Sequence, residues 1–192
     1  MRLTDADFGL LQRNIDALVE RLARLNLSIV VERDFTGLME FLRANRAYNF
    51  NPTFNPDCCD LSHDSFWLRI MDETGQTVAS HAQRVFITDD FCQLVETGKL
   101  WYDTGLKLTL GQEPLKITRP SMLINGAVAH AGGLFVDPRL RKKGLSLFLP
   151  FLSRALCLRN YAPDFMTCIV LEKMGQSALP KMGYGYRHIE PF

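Results

Sequence analysis

The sequence has no run of the ~18 apolar residues that a membrane-spanning helix needs, so a bilayer span is not expected and no membrane partner is implied. Its five cysteines are odd in number. Cys58 and Cys59 are adjacent and Cys92, Cys157 and Cys168 are scattered, which is no disulfide framework and fits a reducing, cytoplasmic setting. Neither sign of charge dominates: 22 Lys and Arg stand against 21 Asp and Glu, for a net charge of +1. Nucleic-acid binders carry a broad basic surplus, so no nucleic-acid partner is expected. The phosphate-loop pattern GxxxxGK[ST] and the dinucleotide pattern GxGxxG are both missing, as are internal repeats and low-complexity tracts. The first 27 residues mix acids and bases throughout, with no apolar core or small-residue cleavage site, and do not read as a secretory signal.

What is present is ordinary globular composition, with 47% hydrophobic and 22% charged residues in 192 positions. That is one domain's worth of chain, and residues 1–192 are read as a single domain. Thr4 and Asp7 form a capping-box pattern, after which Leu11, Ile15, Leu18, Leu22 and Leu25 make one stripe of a helix over 4–26. The stripe packs either on the domain's own sheet or across a homodimer seam. Leu27–Glu32 reads as a strand, Asp34–Ala47 as a helix, and the Asn-, Pro- and Asp-rich 49–64 as an ordered loop. Phe66–Met71 and Thr77–Ile87 flank the turn signal DETGQ and form an antiparallel hairpin. Thr88, Asp89 and Asp90 cap a helix that runs to Leu100, followed by an irregular stretch to Asn125. Val128–Val136 is a strand, Leu145–Asn160 a helix, Phe165–Leu171 a strand and Tyr184–Ile189 a short last strand. Pro150 lacks the N–H that would bond the Ser146 carbonyl, which predicts a kink or a late helix start.

The stretch Phe135–Pro150, FVDPRLRKKGLSLFLP, concentrates positive charge between two apolar segments. A strand ending at Val136, an Asp-Pro turn, a basic loop and a glycine opening an apolar helix aim free backbone N–H groups and the positive end of a helix dipole at one point. Such a point suits a phosphate. Gly144 lets a ligand reach the backbone, and Arg141, Lys142 and Lys143 add charge-assisted contacts. The residues alone reach as far as an anion or phosphate site. A cluster of Asp57, Cys58, Cys59, Asp60 and His63 offers metal-capable atoms without the paired spacing of structural zinc, so no metal is expected.

The motif around Val136, Pro138, Arg141 and Gly144, with Ser146 at the last small position, resembles V-x-P-x-x-[QR]-x-x-G-x-[GA] of the GNAT superfamily of acyl-CoA-dependent N-acetyltransferases. The order of elements from Leu27 onward is similar too, and the closing ALPKMGYGYRH looks like the family's terminal pattern. Helix 4–26 and the insertion 88–125 lie outside it. The resemblance implies an α/β fold of the α+β kind: a mixed, mostly antiparallel sheet flanked by helices, with a CoA slot between two splayed parallel strands. It implies acetyl-CoA as acyl donor, with the N–H groups of Lys142, Lys143, Gly144, Leu145 and Ser146 on the pyrophosphate and Arg141 beside them. It further implies Leu134, Phe135 and Val136 along the pantetheine arm, with the Leu134 N–H on the thioester oxygen.

Transfer to an amine needs a base, and the thiolate benefits from an acid. His130 stands where the histone-modifying branch of the family has its glutamate, and strand alternation puts it on one face with Gly132, Leu134 and Val136. Glu172 is the second base candidate. The family's acid tyrosine falls at Leu179 here, leaving Tyr184, Tyr186 or solvent for that role. The acceptor is a small-molecule or peptide amine, walled by the loop 49–64 and by the insertion with Trp101 and Tyr102. Two functions follow: direct acyl transfer in a ternary complex, or a CoA-binding regulatory module without turnover.

Overall fold

The computed structural model describes residues 4–45, 51–105, 116–170, 172–177, 179–183 and 185–189. Five strands form one sheet in chain order: β1 (Ser28–Glu32), β2 (Ser65–Met71), β3 (Thr77–Thr88), β4 (Gly126–Val136) and β5 (Phe165–Cys168). The first three pairings are antiparallel and β4 with β5 is parallel. Helices cover both faces, so the sheet is mixed and mostly antiparallel, as the resemblance implied.

On one face lie α1 (Asp5–Ala23) and α4 (Leu145–Tyr161). The capping box at the start of α1 is present, Thr4 accepting from the Asp7 N–H while Asp7 accepts from Thr4. The predicted leucine stripe is used within the chain: Ile15 and Leu22 are buried among Leu145, Phe148, Leu149 and Leu152, with Leu11, Leu18 and Leu25 packed at the margin. On the other face α2 (Phe35–Ala44) sets Phe35, Leu38, Phe41 and Leu42 against Trp67 and Ala82. The loop after it is ordered where described, with a 3₁₀ turn at Pro52–Phe54 and with Thr53, Phe54, Cys59 and Leu61 buried. A third small core gathers Phe91 and Val95 of α3 (Phe91–Glu96) with Leu100 and Val128.

Several expectations are corrected. Helix α3 stops at Glu96, not Leu100, because Gly98 takes φ 73° and breaks the helical path. Strand β5 pairs only as far as Cys168, short of Leu171. Residues 185–189 form no strand: Gly185 has φ 67°, the Arg154 guanidinium donates to its carbonyl, and the Tyr186 N–H turns back to the Pro180 carbonyl. Pro150 does not delay α4, which starts at Leu145 and runs through the buried proline.

The most consequential correction concerns β4. Across β3, Ser80 faces Phe135 but Ala82 faces Gly132, so β4 holds one residue more than its partner at Gly133 and Leu134. Gly133 adopts φ 61°, and its carbonyl accepts from the Ser80 hydroxyl at 2.8 Å. An extra residue inverts the alternation beyond it. His130 and Gly132 therefore face α2, whereas Leu134 and Val136 pack with the α1 and α4 core, contrary to the shared face that simple alternation predicted. Phe135 joins the α2 side, edge-on to Phe41 at 5.3 Å.

Candidate functional site

The basic stretch folds as its residue types suggest. Asp137 caps a short 3₁₀ turn, Pro138–Leu140, and its carboxylate holds the Arg139 guanidinium at 2.7–3.1 Å. That pairing turns Arg139 back on the loop and keeps the Asp137 carboxyl below the ordinary carboxylate range. Arg141, Lys142 and Lys143 are exposed. Lys142 takes φ 66° and Gly144 φ 80°, two left-handed residues that turn successive N–H groups inward. Gly144 caps α4 without a side-chain hydrogen bond. Among the described residues, the N–H groups of Lys142 to Ser146 make no hydrogen bond. These unmet donors, at the positive end of a 17-residue helix, form a cradle whose polarity suits an anion such as a phosphate.

The cradle continues into an open strand edge. The parallel ladder runs from Val128↔Phe165 to Ala131↔Cys168 and stops, leaving β4 from Gly132 to Val136 without β5 beside it. The bulge at Gly133 stands at that parting. An extended, amide-bearing chain can pair with such an edge as a further strand would. Loop and edge together join an anion cradle to a strand edge that β5 leaves unpaired.

His130 is fully buried on the α2 side. Its Nδ1 lies 3.0 Å from Thr167 Oγ1, and the Thr167 hydroxyl is placed to donate to the Ala129 carbonyl at 3.3 Å. With that hydroxyl's proton committed, Nδ1–H donates to Thr167, and Nε2 carries the lone pair. Nε2 has no partner. Burial, helped by the charge of Arg84, pushes the imidazole down to about 3, so it is neutral at pH 7. Phe54 and Phe91 stack on the ring at 6.5 and 5.7 Å. Phe54 also lies on Gly132, where a Cβ would come 2.5 Å from its ring.

Across the ladder from His130 sits Arg84, whose side chain is 11% exposed. Nη2 pairs with Asp103 at 3.0 Å, the guanidinium lies 4.6 Å over Phe86, and Nη1 is buried with no hydrogen-bond partner among the described residues. Asp103 comes from the insertion, which closes on the loop after α2: the Asp60 N–H donates to Asp103, the Asp103 N–H to the Cys58 carbonyl, and the Cys59 thiol to the Trp101 carbonyl. Burial pushes the Cys59 thiol up, so it is a packed thiol and not an activated one. Among the described residues no three His, Cys, Asp or Glu side chains converge as a metal site would require.

The other candidates lie apart. Glu172 is exposed at the start of α5 (Glu172–Gly175), with Oε1 3.3 Å from Gln176 Nε2. Tyr184 falls outside the described residues. Tyr186 is half-buried beside Cys168 and Arg154, and burial raises its phenol well above the ordinary value, keeping it protonated. Sequence reasoning missed Arg84, whose signal was an arginine between Ala82 and the apolar run Val85–Ile87 of a predicted strand. It also missed Arg21, which α1 carries to the basic loop.

No family model matches the sequence, and no curated protein matches it. Among solved structures the chain is similar to an aminoglycoside antibiotic 6′-N-acetyltransferase from Acinetobacter baumannii, at 16% identity over 86% of this chain and 94% of that one, with a TM-score of 0.47. It is similar to a Trypanosoma brucei acetyltransferase at 18% identity, over 86% and 96% of the two chains, with a TM-score of 0.45. It is also similar to glucosamine-6-phosphate N-acetyltransferase from Arabidopsis thaliana at 12% identity, over 86% and 97%, with a TM-score of 0.40.

Proposed function

We propose that this chain is a GNAT-type N-acyltransferase that moves an acetyl group from acetyl-CoA to a primary amine by direct attack in a ternary complex. The observation that carries the reading is one continuous backbone feature. Strand β4 parts from β5 after Ala131, bulges at Gly133, and runs through a loop of unmet N–H groups into α4. That feature suits an acyl carrier whose extended pantetheine arm leads to a pyrophosphate.

In this reading the N–H groups of Lys142 to Ser146 hold the pyrophosphate, with Arg141 nearby. The edge from Leu134 through Phe135 to Val136 pairs with the pantetheine. The Leu134 N–H donates to the thioester oxygen, where a fixed dipole opposes the negative charge that builds up during attack. The amine nitrogen bonds to the carbonyl carbon, the carbon–sulfur bond breaks, and the amine loses a proton. His130 Nε2 holds the lone pair that receives this proton, directly or through water, once the Phe54 ring swings off Gly132. Glu172 is the alternative base. The departing thiolate takes its proton from Tyr186, Tyr184 or solvent, Tyr186 being supported by its neutral phenol at the end of β5. The loop after α2 and the insertion, latched together through Asp103, form the acceptor wall.

The test is to incubate the protein with acetyl-CoA and a panel of primary amines while following free thiol. Amine-dependent thiol release, abolished in His130→Ala, supports the reading. CoA binding without thiol release for any amine would point instead to a binding module, a reading favoured by Phe54 covering Gly132. Absence of CoA binding would refute both.

A further inference from the structure

Helix α1 lies outside the resemblance, yet its last turns reach the basic loop. Leu18 and Leu22 pack it against the core shared with α4, which turns Arg21 and Arg24 toward Lys143. The Arg21 guanidinium lies 4.8 Å over the Phe148 ring, and its Nη2 is 3.5 Å from where a Cβ on Gly144 would stand. A cation is thereby fixed over the glycine that opens the cradle. Ala17, Glu20, Arg21, Arg24, Leu25 and Lys143 line a cavity of about 480 Å³ on the outer side of this loop. Glu20 is taken by Arg24 at 2.7 Å. Arg21 and Lys143 have no carboxylate partner among the described residues. Three cations and one anion thus line a cavity whose two unpaired charges balance a phosphomonoester.

We propose that Arg21 and Lys143 bind the 3′-phosphate of the CoA nucleotide, making α1 part of the donor site. The inference rests on the CoA reading of the loop. The backbone cradle takes the pyrophosphate, which leaves the 3′-phosphate as the one remaining anion of the carrier. The cavity lies next to the cradle, beyond Gly144, with room for an adenosine. Arg21 suits the role because its planar fork can hold two phosphate oxygens while its face rests on Phe148.

The test is calorimetric titration of CoA and 3′-dephospho-CoA into the wild type, Arg21→Met and Lys143→Met, with thermal melts to verify folding. Met at 21 keeps an apolar stem on Phe148. The wild type is expected to bind CoA about tenfold more tightly than dephospho-CoA, and each variant to lose most of that preference, with Arg21→Met binding dephospho-CoA as the wild type does. Equal wild-type affinity for the two ligands overturns the inference and leaves the CoA reading intact. So does a loss in Arg21→Met that falls equally on both ligands. If the folded wild type binds neither, the CoA reading itself fails and the inference falls with it.

Discussion

Acid should weaken this fold before its carboxylates titrate. His81 and His130 are fully buried, and burial holds each near 3 against an ordinary value of 6.5. In the unfolded chain both take up a proton as pH falls through 6.5, and in the folded chain they do not. The stability they confer is therefore complete above that value and lost progressively down to about 3. Between pH 7 and pH 5 the loss is about 2 kcal/mol per histidine, or about 4 kcal/mol for the pair, a large part of a typical domain's ~5–15 kcal/mol. Asp90 and Asp137, lowered mainly by their arginine partners, act in a separate window, below about pH 4. Urea unfolding followed through the buried Trp67 at the two pH values measures the loss, and His130→Asn should reduce it by about 2 kcal/mol. A wild-type loss under about 1 kcal/mol, or an undiminished loss in the variant, would refute the claim that His130 is buried and neutral.

Other expectations follow from single positions. Gly144→Ala places a Cβ at φ 80°, costing about 1–2 kcal/mol, and narrows the cradle beside Arg21; thermal melts and CoA titration should show a modest drop in Tm and a larger loss of affinity. Gly132→Ala drives a Cβ to 2.5 Å from Phe54, costing about 1–3 kcal/mol by chemical denaturation, and Phe54→Leu should restore most of it. In the thiol-release assay, His130→Ala should lower kcat by about 100-fold or more, whereas exposed Glu172→Gln should leave it within about twofold; the reverse pattern would move the base to Glu172.

The parts of the fold legible in the sequence are those written in local chemistry. Thr4 and Asp7 specify the start of α1, DETGQ specifies the β2–β3 hairpin, and Gly144 before an apolar run specifies the opening of α4. What escaped was set by distant partners. The Gly133 bulge depends on the register with Ser80, and one extra residue was enough to move Leu134 and Val136 to the face opposite His130. The end of β5 depends on where β4 turns away, and residues 185–189 depend on Arg154 reaching Gly185. The site divides the same way. The anion cradle is a run of neighbours and was readable, whereas Arg84 beside His130 and Arg21 over Gly144 are meetings of separate elements.

The central claim is that the loop and the free edge of β4 hold an acyl carrier by its pyrophosphate and pantetheine. A crystal structure with acetyl-CoA tests this most directly. The account predicts pyrophosphate oxygens at hydrogen-bond distance from N–H groups between Lys142 and Ser146, with the pantetheine along Gly132 to Val136 and the thioester near Leu134. Acetyl-CoA ordered elsewhere on the chain, with these N–H groups bonded to solvent alone, would contradict it.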